Sequence, residues 1–132
     1  MKIQASSENY LEAILVLGKK NGNVRAIDIA NYMGFSKPTV SIAMKRLREN
    51  GYVDIDTSRN INLTQMGADI ANSMHERHML IANLLIMAGV DEETAFEDAC
   101  KIEHCISDKS FDCLKVFYTG QALQTNCCLV KA

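Results

Sequence analysis

Within ACKIEHCIS, residues 99–107, a cysteine, a glutamate and a histidine fall at positions 100, 103 and 104. Positions i, i+3 and i+4 share one face of a helix. A thiolate, a carboxylate and an imidazole from one turn can therefore converge on a divalent cation. Such an ion takes four to six donors, so Cys100, Glu103 and His104 make up at most half of a site. Two other helical stretches can supply the rest. SENYLEAILVLGKK places Asn9 and Glu12 at i and i+3, and ERHML carries His78. Plainer readings stand beside this one. A single histidine on a helix is more often satisfied locally than bound to metal. Asn9 can serve a helix start, and Cys100 beside Ala99 can fill a core as a small apolar group. Spacing alone does not bring three segments together.

A second chemistry belongs to the first half of the chain. From Lys37 to Arg48 there are four cations, Lys37, Lys45, Arg46 and Arg48, and no acid. Ser36, Lys37, Pro38, Thr39 and Ser41 precede or open this run. Short hydroxyl side chains at a helix start reach base edges or phosphates, and Lys45 or Arg46 would reach the backbone. Arg59 lies in TSRN, between two short apolar alternations. A solvated basic helix face would look the same if the surrounding elements were different.

The elements are what position these residues. Apolar spacing predicts a helix over 7–20, with Ser6 or Ser7 as its cap and Asn21-Gly22 as its stop. A short helix over 25–33 ends at Gly34. Ser36 as N-cap and Pro38 in the first turn open a helix over 36–50, closed by Gly51. YVDIDTSRNINLT reads as a two-stranded hairpin with Arg59 at its tip. Thr64 caps a long helix over 65–88, and Gly89 stops it. Acids at 91–93 begin a helix that carries residues 99–107. A last helix, 108–118, ends near Gly120, and the remainder reads as a tail. The fold class is therefore mainly α. An N-terminal winged helix-turn-helix with a two-stranded β wing, 1–64, precedes a helical metal-binding and dimerisation domain, 65–120, and a tail, 121–132.

Composition agrees with two jobs for two halves. Residues 1–74 hold nine Lys/Arg against seven Asp/Glu, and residues 75–132 hold five against nine. The net charge of −2 argues against a general polyanion binder. A weakly basic module binds DNA poorly alone, so a dimer on two half-sites is expected. MKIQASSENY has no apolar leader, MLIANLLIMAGV is too short to span a bilayer, and five cysteines is an odd number. The expected setting is cytoplasmic and reducing, without a membrane partner. No Gly-rich phosphate loop or second catalytic motif appears, so neither an enzyme nor a small-molecule substrate is expected. The competing reading is a winged-helix regulator that answers to thiol oxidation through Cys100, Cys105, Cys113 and the Cys127-Cys128 pair.

The stretches ENYLEAI, DIANYMGFSKPTVSIAMKRLRENGYV, LTQMGADIA, ERHMLIANLL and GVDEETAFEDACKIEHCISD follow one another across about residues 8–115. In order and spacing they resemble the metal-dependent repressors typified by the diphtheria toxin repressor and the manganese transport regulator. The resemblance implies a homodimer whose winged helix binds double-stranded operator DNA when Fe(II) or Mn(II) fills a site between that domain and the dimerisation helices. It places the ligands on Asn9, Glu12, His78, Cys100, Glu103 and His104. Cys100 resembles the iron-responsive branch, Glu12 the manganese branch, and Asn9 neither. The iron branch's ancillary positions fall on Ala82 and Phe96, which cannot ligate; Glu97 and Glu76 are the nearby acids. The chain is also shorter than members with an additional C-terminal domain. A thiolate pulls preference towards Fe(II), Co(II) or Zn(II), and carboxylates pull towards Mn(II) or Fe(II). Fe(II) is the expected ion, Mn(II) the second, with Zn(II) or Co(II) also compatible.

Overall fold

A computed structural model describes the backbone of residues 5–131 and the side chains of residues 6–120. The elements run α1 (Ala5–Asn21), α2 (Ala26–Met33), α3 (Lys37–Glu49), β1 (Val53–Ile55), β2 (Ile61–Leu63), α4 (Gln65–Met87), α5 (Glu92–Ile102) and α6 (Asp108–Lys131). The chain divides into two compact units, Met1–His75 and Glu76–Ala132. The division falls inside α4 because the first turns of that helix belong to the first core. Ala71 is fully buried there and Ile70 packs against it.

The first unit is a winged helix-turn-helix. Its core gathers Tyr10, Leu11, Ile14 and Leu17 of α1, Ile29 of α2, Val40, Met44 and Leu47 of α3, and Val53 and Ile61 of the hairpin. α2 stops where Gly34 turns left-handed (φ 73°), a conformation that costs a residue without Cβ little. The Gly34 and Phe35 amides both donate to Ala30 O. Ser36 then caps α3, its hydroxyl accepting from the Thr39 amide at 3.3 Å. β1 and β2 pair antiparallel with Val53 opposite Leu63, and Ile61 N donates to Val24 O at 2.7 Å.

Thr64 joins the hairpin to α4. Its hydroxyl donates to Gly51 O at 2.7 Å and accepts from the Gly67 amide at 3.2 Å. Thr64 N also donates to Tyr52 O. The first turn of α4 thus lies against the backbone at Tyr52, and a Cβ at Gly67 would stand 2.0 Å from Tyr52 O.

In the second unit, α5 is capped by Asp91, whose carboxylate accepts from the Thr94 amide. Ile81, Ala82 and Ala99 form its small buried cluster, with Leu85, Phe96 and Ile106 packed against it. Ala82 and Phe96 are thus core residues.

Three boundaries differ from expectation. α1 already includes Ala5, so Ser6 and Ser7 lie within its first turn and not ahead of it. α5 ends at Ile102, with Glu103 as its C-cap and His104 in the following turn. α6 continues through Gly120 to Lys131, where a tail was expected. A glycine ends a helix only where the chain turns left-handed, and Gly120 has no positive φ. Among the described residues no helix is long and apolar enough to cross a membrane.

Candidate metal centre and nucleic-acid interface

Glu103 is the centre of the polar cluster in the second unit. Its side chain is 0% exposed. Oε2 lies 3.1 Å from His78 Nδ1, and Oε1 lies 3.3 Å from His104 Nε2. Oε1 nevertheless makes no hydrogen bond. The His78 ring is packed at 5.5 Å against Phe96. A carboxylate taken wholly out of water is costly unless positive charge or hydrogen bonds satisfy it. Two imidazoles and a carboxylate with an open oxygen suit a divalent transition ion, which offsets the buried charge and fills that oxygen's vacancy. By this test the residues fit a metal.

The turn that carries Glu103 and His104 is held by a residue the sequence reading passed over. Arg77, beside His78 on α4, has a side chain only 9% exposed. Its Nη1 donates to Glu103 O at 3.3 Å and to Ile106 O at 2.9 Å. Nη2 donates to the Asp108 carboxylate, and the guanidinium stacks 5.1 Å from the Phe111 centroid. These carbonyls belong to the C-cap of α5 and to the turn that follows it, and Ser107 caps α6 directly afterwards by accepting from Ser110 N. One buried cation thus shapes the bend. Arg77→Met is expected to cost about 2 kcal/mol, since two carbonyls lose their donors. It is also expected to weaken Mn(II) binding about tenfold or more, as the loss of groups that orient ligands does. Urea denaturation and a Mn(II) electron-paramagnetic-resonance titration measure the two effects.

Cys100 lies three residues before Glu103, so the i, i+3 relation holds, but Cys100 is exposed where Glu103 is buried. Cys105 and Cys113 are exposed free thiols, and the side chains of Cys127 and Cys128 lie outside the described residues. Glu76 pairs with Lys115 at 2.9 Å, and Glu97 is exposed. In the first unit Asn9 and Glu12 are half-buried on α1. Glu12 Oε2 lies 3.5 Å from Nδ1 of His75, a histidine the reading missed. The signal was the spacing HERH, which sets His75 and His78 at i and i+3.

Ser36, Lys37, Pro38, Thr39, Ser41, Lys45, Arg46 and Arg59 are all exposed, and Arg59 occupies the hairpin tip with φ 67°. Thr39, Ile42 and Arg46 follow one another at i, i+3 and i+7, and Ile42 is 60% exposed. The tip is built on Asp56. Its carboxylate accepts from the amides of Ser58 (2.8 Å) and Asn60 (2.9 Å) and from Asn60 Nδ2 (3.3 Å). The Asn60 amide is the largest of the influences that lower the Asp56 pKa from the ordinary carboxylate value. A lowered folded pKa stabilises the wing fully above the unfolded value, about 3.9. That stabilisation is lost as pH falls through the lower, folded value. The hydrogen-exchange protection factors of the Ser58 and Asn60 amides are expected to fall below about pH 4 and to lose this dependence in Asp56→Ala.

Comparison with known proteins adds an independent line. Residues 2–61 match the family model for the iron dependent repressor, N-terminal DNA binding domain. Residues 64–120 match that for the iron dependent repressor, metal binding and dimerisation domain. The chain is 34% identical over 110 residues to the transcriptional regulator MntR of Escherichia coli, covering 83% of this chain and 71% of that one. It is 34% identical over 114 residues to an uncharacterized HTH-type transcriptional regulator of Methanocaldococcus jannaschii, covering 85% and 91%. Among solved structures, the manganese regulator SloR superposes with a TM-score of 0.75 at 29% identity, over 86% of this chain and 53% of that one. A manganese-dependent transcriptional repressor in complex with manganese gives 0.79 at 25% identity, over 86% and 52%. The chain thus spans about half the length of these solved regulators.

Proposed function

Since this chain belongs to the iron dependent repressor family of metal-dependent DNA-binding transcriptional regulators, we propose that it represses metal-homeostasis genes when a divalent metal is held by His78, Glu103 and His104. The observation that carries this is Glu103, buried between two imidazoles with one oxygen unbonded. Asn9, Glu12 and Cys100 join as further ligands by resemblance. Fe(II) and Mn(II) are the ions proposed. Two imidazoles and a carboxylate suit either, and only a thiolate donor tips the choice towards Fe(II). When bound, the ion supplies the positive charge the buried carboxylate lacks.

The rest is done by the chain itself. Arg77 fixes the turn on which Glu103 and His104 stand. Ser36, Lys37, Pro38, Thr39 and Ser41 enter the major groove of operator DNA. Lys45, Arg46 and Arg59 take phosphates. Partnership is with a second copy of the chain. Met79, Ile86 and Met87 of α4 and Ile102 of α5 are large apolar residues left exposed, as a homodimer interface requires. Metal and DNA then raise each other's affinity by one factor. No reaction is catalysed, and the setting is the cytoplasm.

The test is a fluorescence-anisotropy titration of metal-stripped protein under reducing conditions. The probe is a duplex recovered by selection from a random-sequence pool. Fe(II), Mn(II), Zn(II) and no metal run in parallel. Fe(II) or Mn(II) is expected to tighten binding at least about tenfold, as a coupling of some 1–3 kcal/mol gives. Equal affinity in all four arms overturns the proposal. Binding that follows thiol reductant instead of metal overturns it in favour of an oxidation sensor.

A further inference from the structure

Glu12 of α1 and His75 of α4 meet inside the first unit, with Glu12 Oε2 3.5 Å from His75 Nδ1. The core holds the backbone on both sides of this pair. Leu11 and Ala13, which flank Glu12, and Ala71 and Met74, which precede His75, are all buried. Leu11 and Ala71 belong to one hydrophobic cluster. The two side chains are less enclosed, Glu12 at 15% exposed and His75 at 37%. Family resemblance gives Glu12 to the metal and gives His75 no part.

The separation itself carries information. A hydrogen bond from an imidazole to a carboxylate closes to about 2.7–3.2 Å. Two donors on one ion, each at about 2.0–2.2 Å from it, stand about 3.0–3.5 Å apart. The observed distance suits the second arrangement better than the first. We propose that His75 is a ligand of the metal, beside Glu12, and that its imidazole sets the choice of ion. The proposal rests on the metal-dependent reading above and adds one residue and its effect on selectivity.

The chemistry gives that effect a direction. Among the donors named above, only the Cys100 thiolate favours Fe(II) over Mn(II), and Cys100 is exposed. Asn9 and Glu12 offer oxygen, which suits Mn(II). Imidazole suits Fe(II), Co(II) and Zn(II). His75 adds a third imidazole to those of His78 and His104, and it moves the preference towards Fe(II) without any thiolate. Imidazole ligates as the neutral ring. The carboxylates of Glu12 and Glu103 therefore still balance a divalent charge.

The experiment measures Mn(II), Fe(II) and Co(II) affinities of the metal-stripped protein by competition with a chelating indicator, without oxygen and under reducing conditions. Wild type, His75→Ala and His75→Asn are compared. The asparagine amide reaches about as far as Nδ1, so His75→Asn keeps a hydrogen bond to Glu12 and loses the imidazole. Both variants are expected to lose Fe(II) and Co(II) affinity by about a hundredfold or more, and Mn(II) affinity by about tenfold or less. The visible absorption of bound Co(II) is expected to shift in both, because a nitrogen donor has left the ion. Equal losses for all three ions, or recovery of affinity in His75→Asn with the wild-type Co(II) spectrum, make His75 a hydrogen-bond partner of Glu12 and overturn the ligand assignment. Wild-type affinity in both variants overturns it too. These outcomes leave the Glu103 centre standing. Undiminished Mn(II) affinity in Glu103→Ala, measured alongside, overturns the reading on which this proposal rests.

Discussion

A Glu103→Ala protein is expected to lose metal-stimulated DNA binding while its metal-free fold and its dimerisation persist. Glu103 is a fully buried carboxylate with an oxygen that makes no hydrogen bond. In the absence of metal this group is a burden, because its desolvation is only partly repaid by two imidazoles. Removing it is therefore expected to leave the metal-stripped melting temperature unchanged or raised. Metal binding behaves oppositely. Loss of a ligand is expected to weaken Mn(II) affinity by about a hundredfold or more, since even outer-shell partners are worth 10- to 100-fold. At a Mn(II) concentration about 100 times the wild-type Kd, wild type gains about 2.7 kcal/mol of stability, and the variant gains little. Glu103→Gln, which keeps the shape and loses the charge, is expected to behave like Glu103→Ala. His104→Ala is expected to follow the same pattern. Calorimetry of stripped and Mn(II)-loaded proteins at one protein concentration separates the cases. An undiminished gain in Glu103→Ala would remove Glu103 from the site.

The second large effect concerns the frame. Gly67→Ala sets a Cβ 2.0 Å from Tyr52 O and 3.0 Å from Tyr52 C, inside any allowed contact and against backbone, which a side-chain rotation cannot relieve. Neither side can yield freely. Tyr52 O accepts from Thr64 N, and Thr64 ties the Gly51 carbonyl to the Gly67 amide. The variant has to part the start of α4 from the hairpin or lose these bonds. A cost of about 2–3 kcal/mol is expected. For a unit of this size that lowers the melting temperature by on the order of 10–20 °C. Because Gly67 lies in the first unit, intrinsic Mn(II) binding by the His78–Glu103–His104 cluster is expected to survive at low temperature. Thermal melts and a cold Mn(II) titration check both halves of this expectation.

The sequence was clearest where the cause of a structure is local. Ser36 and Pro38 announce α3, Gly34 ends α2, and the alternation around TSRN sets the hairpin, because caps, left-handed turns and strand periodicity act within a few residues. It was least clear where the cause is distant. Nothing between Ile102 and Ser107 is a glycine or proline, so residues 99–107 read as one helix. The bend there is made by Arg77, some 26–31 residues earlier in the chain. Gly120 read as a stop, yet its backbone stays out of the left-handed region and α6 runs on. The cluster itself was half legible. The types and spacing of His78, Glu103 and His104 pointed to a metal. That Glu103 is buried while Cys100 is exposed depends on what packs around each face, which spacing does not encode. Asp56, the organiser of the wing, was passed over, although DTSRN holds a side chain able to bond amides two and four residues on.

The central claim is that one metal at His78, Glu103 and His104 and one DNA surface on the winged helix are thermodynamically coupled. It is tested most directly by measuring the Mn(II) dissociation constant twice, for the free protein and for the protein saturated with its selected duplex. The account predicts that DNA tightens Mn(II) binding by the same factor by which Mn(II) tightens DNA binding. Mn(II) affinity that is identical with and without DNA would contradict it.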